Sequence, residues 1–456
     1  MWILLVSFVL LATAPAVTAP STPSDAQAPI VSTPTSASET AMTINDPLQT
    51  QRVIDTMLPC GVRVVVARDR SLPVVAVTLA VDVGSKDDPP ELPGLVHALM
   101  YQVLQGNREL SPGESIRVVH DAGGVTMLGF GAGQVRFESL SPSSHLGELL
   151  WSEAQRLRAP TASPILWQHS IAAARRDIAK PKLSPALVSA VHGDVAGLAH
   201  DGRVVGPGLP SMVEGAIAAQ LADKFGYELA TLIVVGAADV VTTFEQVREA
   251  FADVPKAVAR TRMREIPAGG RTLTLPGFKG SALAWPIPPA GNARLWARTL
   301  CRALNRQTRG VLEPRQSRIR CTLDEDPHRG VLMVRTVGVD DPVAAIEQRI
   351  TRLVGTSESW LLQREADQVV AALRREIDGP VGLARWLAQV MPIRSAADRS
   401  DQPDGSKATN GPGEDMTLYE ISGLSAFAAG RENAAHAINA WFSLETAIRL
   451  ISPSSP

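Results

Sequence analysis

The chain has 456 residues, with 44 basic and 46 acidic side chains, a net charge of −2 and 45% hydrophobic residues. That length provides for two or three domains with their own cores, and the near balance of charge excludes the cationic footprint that nucleic-acid binding requires. Three cysteines, Cys60, Cys301 and Cys321, cannot build a disulfide scaffold and contain no Cys-x-x-Cys pair, so one bridge is the most they allow.

Residues 1–19 open on an apolar run, Met1-Trp2-Ile3-Leu4-Leu5-Val6 onward, that reaches Pro15. The run is short for a bilayer span and well sized for an export signal. No Lys or Arg precedes it, which leaves an uncleaved N-terminal anchor as the alternative. Residues 20–45 are rich in Ser, Thr, Pro and Ala with almost no charge; they cannot bury enough apolar surface to offset ordering entropy and read as a disordered tether. Folded structure is expected from near Gln51. Two β-branched strands, 61–67 and 74–83, flank the turn-like Asp69-Arg70-Ser71-Leu72-Pro73 and read as an opening hairpin. After Pro93-Gly94 the spacing of Leu95, Leu99, Val103 and Leu104 becomes helical, with Gly106 as a stop. Ser111-Pro112-Gly113-Glu114 reads as a capping box with proline at the first helical position, and Gly123-Gly124 leads into an extended stretch to Phe137.

Helical patterns follow at 145–158, 164–179, 185–199 and 211–224, then a strand at 229–236 and a helix at 241–252. A related order recurs downstream: strands at 271–275 and 281–285, a helix at 293–305, strands at 319–323 and 331–339, further helices and a closing strand at 447–451. The pattern predicts two α+β domains, 46–256 and 257–456. The stretch 395–415, full of Ser, Asp, Gly and Pro, reads as a surface loop.

The chemistry-bearing stretch is Gly84-Ser85, the acidic loop through Asp87, Asp88 and Glu91, and then Gly94-Leu95-Val96-His97-Ala98-Leu99-Met100-Tyr101. It resembles the signature of the M16 (insulinase or pitrilysin-like) metallopeptidases, in which Gly-Leu-x-His-x-x-Glu-His opens a zinc-binding helix. Two imidazoles one turn apart converge on the metal there, and the glutamate between them activates the metal-bound water. Here Met100 stands in place of that base and Tyr101 in place of the second ligand. Asp177 falls 76 residues after Tyr101, where the family carries its third ligand as glutamate. Ala199-His200 to Gly206 and Phe225-Gly226-Tyr227 to Gly236 resemble further segments of the first half. In the second half Arg306 and Arg309-Gly310 match the family's Arg-containing stretch, but Glu313 replaces its tyrosine and the preceding glycine-rich segment is missing. The family's peptide-pairing edge strand is matched at Gly123-Gly124-Val125-Thr126-Met127 without its polar residues.

The resemblance implies two homologous M16-type (LuxS/MPP-like) domains, each a mixed, mostly antiparallel sheet covered by helices. Its departures imply that no catalytic residue and no metal site survive. His97 and Asp177 are the residual metal candidates, and two protein ligands fall short of the three a catalytic zinc keeps. Met100 has no proton to exchange, and Tyr101 has a phenol that titrates near 10, so both read as packing residues. His97 reads as a structural histidine, Asp177 as a helix-surface or capping residue. Cys301 and Cys321 flank the Arg306 segment and can pair in an oxidising compartment; His192 and His200 sit at no ligand spacing.

The expected function is therefore that of a catalytically inactive, exported M16 homologue, periplasmic or extracellular, with no cofactor. It would partner an active M16 subunit and help hold peptide; Arg306, with Glu313 placed to pair with it, reads either as an aid to the partner's site, as in heterodimeric members of the family, or as an ordinary surface arginine. The alternatives are a stand-alone envelope binding or scaffold protein and a zinc metalloendopeptidase with a rearranged site.

Overall fold

In the computed structural model, the described residues are 52–177 (less 108 and 159), 183–193, 206–255, 270–306 (less 289 and 290), 318–355 (less 327, 328 and 338–341), 357–390, 416, 417 and 427–452 (less 429, 431 and 432). The expected signal, the tether and the 395–415 loop lie outside them. Among the described residues two sheets and twelve α-helices make an α+β fold.

The first sheet runs in the order β11 (Met416–Thr417), β1 (Arg52–Met57), β2 (Arg63–Arg68), β6 (Ala230–Gly236), β3 (Val74–Val81), β5 (Val135–Pro142) and β4 (Val125–Phe130). The expected hairpin between 61–67 and 74–83 does not form, because β6 lies between those strands, parallel to β2 and antiparallel to β3. Burial explains the insertion. Every residue of β6 is buried, so it needs a hydrogen-bonding neighbour on each edge and apolar cover on each face. The opening hairpin is instead β1 with β2, closed by a Leu58–Val62 turn in which Gly61 takes φ 93, a conformation that favours glycine.

The helices of the first half are α1 (Leu95–Leu104), α2 (Glu114–Asp121), α3 (Leu146–Arg156), α4 (Pro164–Arg176), α5 (Pro185–His192), α6 (Glu214–Lys224) and α7 (Val240–Ala250). α2 starts after Pro112, not at it. Gly113 is left-handed at φ 75, and only half of the capping box forms, the Glu114 carboxylate accepting from the Ser111 N–H at 2.8 Å. One face of the first sheet, carrying Val64, Val66, Val77 and Leu79, packs on α1, α3, α4, α6 and α7.

The second sheet runs β7 (Thr272–Thr274), β12 (Ile448–Ile451), β8 (Ser281–Pro286), β10 (Val331–Val337), β9 (Arg318–Asp324). Its helices are α8 (Gly291–Asn305), α9 (Pro342–Val354), α10 (Ser359–Glu376), α11 (Pro380–Val390) and α12 (Ala434–Trp441). The two sheets share their cover. Val65, Ala67, Ala76, Ala80, Ile233 and Val235, on the second face of the first sheet, join the core of the second half, where α11 crosses β3 and β6 with Leu383, Trp386 and Leu387. Conversely, Ala282, Ala284, Val331, Met333, Ile448 and Leu450 of the second sheet pack on Leu187, Val188 and Val191 of α5. Alanines under α11 let a helix carrying Trp386 approach the sheet closely.

Cys301 on α8 and Cys321 on β9 form a disulfide with their Cα atoms 5.2 Å apart. Asn305 bridges the same two elements, donating to the Cys321 carbonyl at 3.0 Å and accepting from its N–H at 2.9 Å. Since the bridge closes a 20-residue separation, loop-closure entropy assigns it about 3 kcal/mol. Reduction should lower the urea midpoint accordingly and leave the far-ultraviolet spectrum of the folded baseline unchanged, because Asn305 and the apolar core still hold α8 to β9.

Candidate functional site

The start of α1 is held by a buried carboxylate. Asp88 accepts from the N–H groups of Gly94 at 2.9 Å and Val96 at 2.7 Å, occupying the anion-favouring end of the helix. Burial raises its pKa to about 7, outweighing those two donors. Gly94, at φ 83, makes the turn into the helix. α1 is then tied to α4 through the buried Gln102, which donates to the Thr161 carbonyl at 2.6 Å and accepts from Ser170 Oγ at 2.9 Å.

This pairing brings three of the sequence-selected residues together. His97 is 1% exposed, and its Nε2 lies 3.1 Å from Asp177 Oδ2. Tyr101, one turn further along α1, donates its hydroxyl to the same oxygen at 3.2 Å. Asp177 sits just past the end of α4, its own N–H bonded to the Ala173 carbonyl. Its shorter side chain nevertheless reaches both partners. Burial, and secondarily the Asp177 charge, push the Tyr101 phenol up to about 12. Met100 points the other way and is fully buried in the core between the first sheet and its helices.

A fourth member had no local signal in the sequence. Phe130, at the end of β4, stacks on the His97 ring with centroids 4.2 Å apart and planes 12° from parallel. Its position is set by the β4–β5 turn. The Gly131 and Ala132 carbonyls accept from Ser85 and Lys86, and the Ala132 N–H donates to Asp326 of the second half at 2.7 Å. A Cβ on Gly84 would stand 2.5 Å from that turn's backbone, which is why glycine precedes the acidic loop.

Arg306 is not part of this group. Its Nε pairs with Glu365 of α10, which is fully buried and also bonded by Arg302 at 3.0 Å. Glu313 and His200 lie outside the described residues, and His192 donates to the Gly330 carbonyl at 3.2 Å.

The donor set does not fit the zinc of an M16 peptidase. A carboxylate only accepts, so the His97 nitrogen facing Asp177 carries its proton in that hydrogen bond and holds no lone pair toward the shared point. A phenol near 12 is protonated at neutral pH, and no glutamate stands where the base is needed. Among the described residues no three His, Cys, Asp or Glu side chains are grouped as a metal requires.

No protein-family model matches the chain, and no curated protein sequence does. Solved structures do match. A protease from Helicobacter pylori is 13% identical with a TM-score of 0.58, over 88% of this chain and 99% of that one. The first half of the periplasmic protease PqqL from Escherichia coli is 12% identical with a TM-score of 0.60, over 88% of this chain and 92% of that one. Against the longer PqqL structure the match covers 89% of this chain and 48% of the other. These neighbours are M16 family proteases, and at such identities what the chain shares with them is the fold.

The raised pKa of Asp88 makes a signed prediction. The folded chain holds a proton there that the unfolded chain releases near the ordinary carboxylate value. The contribution is therefore full below that value, 3.8, and is lost as pH rises from there to about 7, at up to about 1.4 kcal/mol per pH unit. Thermal unfolding midpoints should fall from pH 5 to pH 8 more steeply in the native chain than in Asp88→Asn.

Proposed function

We propose that this chain, built on the M16 protease fold, is a catalytically silent, exported half of a peptide-holding assembly whose zinc chemistry belongs to a separate M16 subunit. The observation that carries the reading is the closure of the former metal position. His97 Nε2 and the Tyr101 hydroxyl both bond to Asp177, and Met100 is core. A side-chain set satisfied in this way resists metal entry, because zinc would have to displace two hydrogen bonds and recruit a third ligand. The peptide-facing part of the fold stays open to use. β4 is the terminal strand of its sheet, paired only with β5 among the described strands, and such an edge can accept an extended peptide. The match to the first half of a longer protease supports a role as one wall of a chamber that needs a second half.

Metal analysis of the purified chain tests the silent site. The expected content is under about a tenth of an equivalent of zinc, with no hydrolysis of unfolded protein substrates, where a competent site would fill stoichiometrically. The triple change Met100→Glu, Tyr101→His and Asp177→Glu should raise zinc toward a full equivalent. One equivalent of zinc together with peptidase activity in the unaltered chain would overturn the proposal. Co-expression with a zinc-bearing M16 subunit from the same source should yield a joint peak in size exclusion.

A further inference from the structure

The face of β4 turned away from His97 carries a second polar group, which the zinc chemistry of the fold does not use. Gly129 and Met127 lie opposite Arg136 and Glu138 of β5. Glu138, 4% exposed at its side chain, is bonded by Arg136 Nε at 3.0 Å and by Arg385 Nη2, from α11, at 2.5 Å. Burial pushes the Glu138 carboxyl up, but the Arg385 hydrogen bond and the Arg136 charge outweigh it and leave its pKa below the ordinary value. One carboxylate therefore meets two guanidinium groups, leaving a surplus positive charge. Among the described residues no carboxylate other than Glu138 is hydrogen-bonded to either guanidinium; Glu376, which shares Arg298 with Glu325, acts on Arg385 through space only.

The surplus is aimed at the strand edge. Arg385 Nη2 reaches past Glu138 to within 3.8 Å of Met127 Sδ, and its side chain is 41% exposed. The Arg136 guanidinium lies where a Cβ on Gly129 would stand, 2.5 Å from its Nη2. Glycine at 129 is thus what admits a cation to the face of the edge strand. A strand added beside β4 would run about 4.8 Å away and place alternate side chains on this face, within cross-strand reach of Met127 and Gly129. We propose that Arg385 and Arg136 form a subsite for a carboxylate carried by a peptide paired along β4 opposite Met127–Gly129. The substrate class is acidic: a Glu or Asp side chain or a free chain terminus, both read by the same charge-assisted hydrogen bonds. This rests on the reading above that the chain holds peptide on β4.

Fluorescence anisotropy with the full chain and short, extended, labelled peptides tests it. Three peptides differ only in their carboxylate: an internal Glu with an amidated terminus, Gln with an amidated terminus, and Gln with a free terminus. At least one carboxylate peptide should bind about tenfold more tightly than the neutral one, equivalent to about 1.4 kcal/mol, and which one does so identifies the source. That preference should shrink with added salt, fall below about twofold in Arg385→Gln, and return in part with Arg385→Lys. The native-chain comparison needs no variant and so does not depend on a variant's folding. Equal binding of all three peptides would overturn the subsite and leave the peptide-holding role standing. No binding of any would overturn both.

Discussion

Strands β2, β6 and β3 have no solvent face. They carry Val64, Val66, Val77 and Leu79 to one side and Val65, Ala67, Ala76, Ile233 and Val235 to the other, and the second side is covered by α11, more than a hundred residues downstream. Half a strand's apolar surface left in water would cost on the order of 25 cal/mol per Å², so the first sheet is complete only when the second half is in place. α5 does the same for the second sheet. The cover is reciprocal, and this exchange fixes how the two sheets are joined.

The polar contacts at that junction reach the candidate site. Arg294 holds the carbonyls of Glu325 and Asp326 at 2.7 and 3.1 Å, Asp326 holds the turn after β4, and that turn sets Phe130 over His97. The same junction brings Arg385 to Glu138 on the opposite face of the hairpin. One short hairpin thus presents a stacked aromatic to the His97 group on one side and a cationic pair on the other, each anchored from the second half.

The His97 group rests on one shared acceptor. A single carboxylate oxygen of Asp177 faces both His97 Nε2 and the Tyr101 hydroxyl, so one residue at the end of α4 serves two polar groups on α1, each of which would cost about 1–3 kcal/mol if buried and unsatisfied. Met100, on the same helix, packs in the core instead.

Most helices and several strands, including the helix that begins at Gly94, were legible in the sequence because they rest on local periodicity, and His97, Met100, Tyr101 and Asp177 were picked out by the resemblance to the M16 signature; the strand β1 and the division of the stretch to Phe137 into β4 and β5 were not read. The α+β class followed from the same periodicity. The insertion of β6 between β2 and β3 was not legible, since an apolar run states that a strand is buried but not which edges flank it. Nor were the hydrogen bonds of Asp177 to His97 and Tyr101, which depend on how closely α4 packs on α1. Phe130, Asp326 and Arg385 were invisible for a deeper reason: their partners lie 33 to 247 residues away, and no local pattern encodes a contact that exists only once two sheets exchange their covering helices.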